Sequence, residues 1–333
     1  MSRGWGKFMR ASRTTLLSAV AVVCAVACAV ATAPARADET LRVGKAVPES
    51  FAFVPLDVGM RTGIFKQIGI DIDEIAFAGD AKLQQAMAAD SLDIALGSGP
   101  AMAFIAKGAP TKAIAAMAGP PLDLMIVVRP DGPKTVAELK GTKVSVSTVG
   151  GLTYWLVSET SRQQGWGPDG IVIAPMGSMA PQISALERGD IDGVVTDIST
   201  ALELEKLARA RVLTRFGQIV KDFHVHVIYA TDKAVAGRAA AVRGFLKGWF
   251  EAVAFMRRHK PETVAIATQV IGKDDDINGK TYDELMPMFS DDGRFDPKAL
   301  DTLAQSWVQL KVLPEAPAVT TLYTEAFLPA RTN

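Results

Sequence analysis

The sequence predicts an α/β protein of two lobes, each a doubly wound, mostly parallel sheet, with a helical C-terminal segment packing on the first lobe. Three observations carry this. Short β-rich runs alternate with amphipathic helical stretches from Leu41 onward, the pattern of a parallel sheet with crossover helices. A joint recurs 99 residues apart: residues 86–94 (AMAADSLDI) are echoed by residues 185–193 (ALERGDIDG). In each copy a helix ends, a polar turn follows and an aspartate opens a strand. Upstream, Gly79 and Gln84 pair with Gly177 and Gln182 in the same reading. Finally, a turn-rich stretch, Arg129-Pro130-Asp131-Gly132-Pro133, separates the two copies.

The elements follow in order. Arg3, Lys7, Arg10 and Arg13 precede an apolar run, Thr14 to Ala33, and Ala35 and Ala37 occupy the two positions a signal peptidase reads. Residues 1–37 are therefore expected to be a cleaved secretory signal. An uncleaved membrane anchor and a lipid anchor on Cys28 are the alternatives. The expected first lobe begins at residue 38 and runs to 129, with strands at 41–43, 70–75, 94–96, 112–116 and 125–128. The second lobe is expected over 130–223, with strands at 143–147, 171–174 and 193–196. Residues 224–230 return as a hinge strand, and the remainder to 333 is mostly helix that rejoins the first lobe. Pro297 has the character of a first helical residue.

Composition limits the function. Both cysteines, Cys24 and Cys28, lie in the expected signal, so the 296 residues after it offer no disulfide, thiolate metal site or cysteine nucleophile. Five basic residues and no acid precede residue 38, in a chain with 36 of each, so the remainder is mildly acidic. That argues against nucleic acid as a partner. No cofactor motif is present: Gly97 and Gly99 are too few for a dinucleotide site. His224 and His226 would share one face of a strand, but no third metal ligand accompanies them, and a hinge strand is the preferred reading.

In doubly wound sheets, ligands sit beyond the carboxyl ends of the strands. The loops there are rich in small and hydroxyl residues, and they supply the candidate ligand-binding set: Lys45, Phe51, Asp80, Ser98 and Gly119 from the first lobe, Thr148, Gly150, Gly151, Thr153, Ser178 and Asp197 from the second, and His224 from the hinge. Each loop opens a helix whose free N–H groups favour an anion. Thr148 to Thr153 is the focus of this expectation, with Lys45 supplying a full charge from across the crevice. Any one such loop also reads as an ordinary helix cap. Phe51, Phe53, Tyr154 and Trp155 are candidates for stacking or for core.

Gly63-Ile64-Phe65 with Gly69-Ile70-Asp71-Ile72, residues 134–144 (KTVAELKGTKV) and residues 90–95 (DSLDIA) resemble the ABC-transporter substrate-binding proteins of the nitrate/sulfonate/taurine type, a family that includes binders of thiamine pyrimidine precursors. The resemblance implies a periplasmic-binding fold of the second type that closes on its ligand by hinge bending. It further implies a monomeric, periplasmic, non-enzymatic receptor that passes a small, anionic solute to a membrane permease. At Thr196-Asp197-Ile198-Ser199 the aromatic and the proline found in many relatives are absent, which weakens any transfer of ligand identity. A fungal branch makes thiamine pyrimidine with a cysteine-rich iron site; this alternative loses its support where no cysteine follows residue 28.

Overall fold

The computed structural model describes residues 39–149 and 151–330. The expected signal and its cleavage point lie outside the described residues, as do Cys28 and Gly150. Among the described residues, ten strands form two five-stranded sheets: β1 (Glu39–Lys45), β2 (Ile70–Ala76), β3 (Ile94–Ser98), β4 (Thr111–Ala118), β5 (Leu124–Val128), β6 (Lys143–Val146), β7 (Val172–Pro175), β8 (Gly193–Asp197), β9 (Arg211–Arg215) and β10 (His226–Thr231). The orders are β2-β1-β3-β10-β4 and β7-β6-β8-β5-β9.

The two orders are the same pattern. In each sheet the fourth strand arrives from the other lobe and runs antiparallel to both neighbours. The chain leaves the first sheet after β4, crosses at residues 119–123 and enters the second as β5. It returns after β9 and enters the first as β10. The first crossing therefore falls before β5, not at the turn of residues 129–133. Gly119-Pro120-Pro121 breaks the ladder, and the later turn merely leads from β5 toward β6. The strand β9 was missed because Val212 to Thr214 is a short run between two arginines. Periodicity has too little length there to register.

The echo has a physical basis. Asp93 Oδ2 accepts the Arg42 backbone N–H at 2.9 Å, and Asp192 Oδ2 accepts that of Lys143 at 2.8 Å. Each aspartate thus ties the start of β3 or β8 to the strand beside it. The residue before each polar turn takes the left-handed conformation that ends a helix, Asp90 at φ 56° and Gly189 at φ 80°. Gly44 pairs with Ala95, and Ser145 with Val194, which keeps the 99-residue offset between β3 and β8. At that offset Ser178 answers Gly79 and Gln182 answers Leu83, so the upstream pairing of Gly177 with Gly79 and Gln182 with Gln84 is out by one residue in each case. Leu83 lies over bare Gly44, whereas Gln182 accepts from the Ser145 hydroxyl at 2.9 Å. One lobe uses packing where the other uses a buried hydrogen bond.

The C-terminal helices pack on the first lobe as expected. Phe245 stacks on Phe65 with centroids 5.5 Å apart, and Gly248 admits the Phe65 ring. Pro297 opens a helix capped by Asp296. These helices also reach the second lobe. Asp274 pairs with Lys206 at 2.7 Å, Lys273 with Glu203, and Glu284 with Arg215. Trp155 Nε1 donates to Gln309 at 2.7 Å.

Both crossings touch. Val225 N donates to Gly119 O, and Gly99 N donates to Val225 O, each at 2.9 Å. A Cβ on Gly99 would stand 1.8 Å from the His224 carbonyl oxygen, whereas one on Gly119 would meet nothing closer than 3.8 Å. Gly99→Ala is expected to cost at least about 3 kcal/mol, because backbone must move, and Gly119→Ala to stay within about 0.5 kcal/mol. Urea unfolding of the two variants checks this; equal stabilities would contradict the close approach.

Candidate functional site

The loops that follow the carboxyl ends of β1, β2, β3, β6, β7 and β8 hold most of the expected residues, but they differ in what their side chains are free to do. Lys45 is not a free charge. It is 1% exposed, and its Nζ lies 3.1 Å from Asp57 Oδ2 and 2.6 Å from Glu74 Oε1. Burial raises the Asp57 carboxyl above its usual range despite the ammonium beside it. Lys45 therefore ties β1 to β2 and to the helix Val54–Arg61. Phe51 is also buried, edge-on to Tyr282 and tilted against Phe289, both at 6.5 Å. Trp155 stacks on Phe223 at 4.9 Å and is core, while Tyr154 is half-buried.

Asp80 and Ser98 form one unit. Asp80 Oδ1 accepts the Ser98 backbone N–H at 2.9 Å, and the Tyr229 hydroxyl donates to the Ser98 carbonyl at 2.5 Å. Burial, with the nearby Asp80 charge, raises the Tyr229 pKa well above 10.0. Asp197 caps the helix Ile198–Lys206 through Thr200 N at 3.0 Å and also accepts from the Ser199 hydroxyl. Gly119 serves the crossing already described.

The second-lobe loops are more open. Thr148 is exposed, and Val149 is 74% exposed. Thr153 Oγ1 accepts Ser147 N at 3.3 Å and lies 3.1 Å from the Ser147 hydroxyl, so it is already engaged by the residue just past β6. Gly151 precedes the helix Leu152–Gln163, whose start has no side-chain cap. The same is true of Ser178 before the helix Met179–Arg188 and of Gly79 before the helix Asp80–Ala88. By contrast, Asp197, Thr231, Asp274 and Asp296 each accept a backbone N–H from the helix they precede. Uncapped starts thus occur in both lobes, at loops leaving β2, β6 and β7.

Sequence reading weighed His226 only as half of a possible metal pair or as part of a hinge strand, and it missed Asp123 at the seam. His226 Nε2 lies 2.9 Å from Asp123 Oδ2, joining the start of β10 to the first crossing. Asp123 gave no motif, standing singly in Pro121-Leu122-Asp123. The Phe53 ring meets His226 edge-on at 5.2 Å. His224, the expected hinge residue, faces elsewhere: its Nε2 accepts the Asp296 backbone N–H at 2.9 Å, with Phe295 edge-on at 5.4 Å. The two histidines therefore serve separate partners. Among the described residues, no group of three or more His, Asp or Glu side chains could hold a metal ion. A shallow cavity of about 200 Å³ bounded by Met87, Pro110, Thr231 and Lys233 lies at the opposite end of the first sheet, beside the starts of β3 and β4.

Two α/β lobes with reciprocal crossing strands are the fold of the periplasmic binding proteins. The model of the NMT1/THI5-like family matches residues 50–263, and the chain belongs to that family. Among solved structures, the aliphatic sulphonate-binding protein SsuA of Escherichia coli is similar with a TM-score of 0.73 at 19% identity, over 89% of this chain and 94% of that one. A ligand-binding component of an ABC-type import system from Staphylococcus aureus, with zinc bound, gives 0.74 at 15%, over 87% and 97%. The desulfurization enzyme DszB gives 0.62 at 17%, over 87% and 97%. No curated protein matches the chain in sequence.

Burial lowers the His224 pKa from 6.5 to about 4. Between those values the unfolded chain binds a proton that the folded chain refuses. This contribution to stability is complete above pH 6.5 and is lost as pH falls toward 4. Its size is on the order of 3 kcal/mol. Urea unfolding at about pH 7 and about pH 4.5 is expected to show a smaller loss for His224→Gln than for the wild type. Equal losses would mean that the ring is not held neutral.

Proposed function

We propose that the chain is the periplasmic solute-binding component of an ABC importer, and that it captures a small solute between its lobes without chemical turnover. The observation that carries this is the pair of reciprocal crossings: two sheets linked through segments 119–123 and 220–225 can rotate about that seam. Family membership and the likeness to import-system proteins support it. So does the sequence after Cys28, which offers no cysteine nucleophile. The permease of the importer is the partner this role requires. Residues 1–37 carry the features of a signal that delivers such a receptor to the periplasm.

The solute is small and bears an anionic or strongly accepting group. The supporting features are the uncapped helix starts at Gly79, Gly151 and Ser178, whose N–H groups and partial positive charge favour such a group. Thr148, Gly150, Gly151 and Thr153 are the residues assigned to it. Lys45, already paired twice, acts through its support of β1.

A thermal-shift panel of sulfonates, nitrate, carboxylates and aminopyrimidines tests this. A true ligand at about one hundred times its Kd stabilises by about 2.7 kcal/mol, which raises Tm by roughly 4 °C in a chain this size. Mass spectrometry of the incubated hit is expected to recover it unchanged. Conversion to product would contradict the reading and favour an enzyme of the same fold.

A further inference from the structure

The seam contains a buried carboxylate that is only half used. Asp123 is 5% exposed and His226 8%. Asp123 Oδ2 is engaged by His226 Nε2, while Asp123 Oδ1 and His226 Nδ1 are both buried with no hydrogen-bond partner among the described residues. A buried acceptor without a donor is costly to leave unmet, and more so when it is charged. Carboxylates accept up to about four hydrogen bonds, so one histidine leaves most of that capacity unmet. Among the described residues, no lysine or arginine forms an ion pair with Asp123; Lys45, the buried cation of this lobe, is committed to Asp57 and Glu74.

The position of the pair gives this chemistry a use. His226 is in register with Ser98, the last residue of β3, and with Ala118, the last of β4. The Asp123 backbone carbonyl accepts Ile198 N at 3.0 Å, just past the end of β8. Carboxyl ends of strands from both sheets therefore converge on this one side-chain pair, which is where an open α/β sheet takes its ligand. Of the other carboxylates here, Asp197 is engaged by its own helix and Asp80 by the Ser98 backbone N–H.

We propose that Asp123 Oδ1 accepts an N–H of the bound solute, and hence that the solute carries an amino, ammonium or amide group in addition to any anionic one. His226 is the positioning residue. Its Nε2 contact with Oδ2 fixes the carboxylate and leaves Oδ1 without a partner among the described residues. A buried carboxylate oxygen without a donor selects for donors and repels a carboxylate or sulfonate placed at the same spot. The anionic group of the solute belongs at the uncapped helix starts, away from Asp123. This deepens the importer reading and rests on it.

The test is a titration of the folded protein with propylammonium chloride against potassium chloride, read from the His226 ring nitrogens by ¹⁵N NMR. The expected result is a saturable shift with propylammonium only, at least tenfold weaker in Asp123→Asn, with a melting curve showing that the variant folds. 4-Aminobenzenesulfonate is expected to bind at least tenfold more tightly than 4-methylbenzenesulfonate. Absence of a saturable His226 response in the wild type would overturn the proposal, since water alone would then serve Oδ1. An equal response in Asp123→Asn would overturn it too. The importer reading fails on different evidence, namely turnover of a bound solute, which leaves the His226 response intact.

Discussion

The carbonyl of His224 presses against Gly99 so closely that no side chain fits between them, and Val225 is hydrogen-bonded at the same point to both Gly99 and Gly119. Here the returning chain is threaded past the end of β3 and beside the outgoing crossing. The rest of the architecture depends on that contact. β10 can enter the first sheet in register only if residues 224–225 lie flat against residue 99. With β10 in place, β4 has a neighbour and the first lobe is complete. Because the crossings meet at one seam, the lobes share an axis rather than two separate tethers. His226 and Asp123 add a side-chain link across it.

Away from the seam, the lobes are alike in backbone and unlike in chemistry. Each uses an aspartate to tie its central strand to its neighbour and a left-handed residue to end the preceding helix. Where the second lobe buries a hydrogen bond between Ser145 and Gln182, the first packs Leu83 on Gly44. The first lobe also carries the paired Lys45 and the C-terminal helices, whose ion pairs from Lys273, Asp274 and Glu284 reach the second lobe. Those pairs are partly exposed and individually weak, so they bias the lobe arrangement without locking it.

Much of the fold was legible because it repeats. The strand–helix alternation and the aspartate-opened strands are local patterns, and local patterns survive in sequence. The crossing point was misplaced by several residues because β5 has an ordinary apolar run, and nothing in Leu124–Val128 says which sheet it joins. Register across lobes is a property of distant pairing. The candidate site was legible as loops but not as free groups. Lys45 reads as a cleft cation until Asp57 and Glu74 are seen beside it, and those partners lie 12 and 29 positions away. Asp123 was invisible for the converse reason, since its only distinction is a histidine 103 residues later.

The central claim is that the two lobes rotate about the seam and that a solute holds them closed. The chain from Asp38 onward has no cysteine, so a pair of spin labels can be placed at Lys82→Cys and Ser184→Cys, on exposed positions of equivalent helices in the two lobes. Pulsed electron–electron resonance then measures the distance between them. The account predicts a broad or two-peaked distance distribution without solute, and one narrower, shorter distance once a solute that raises Tm is added. A single distance, unchanged by that solute, would contradict it.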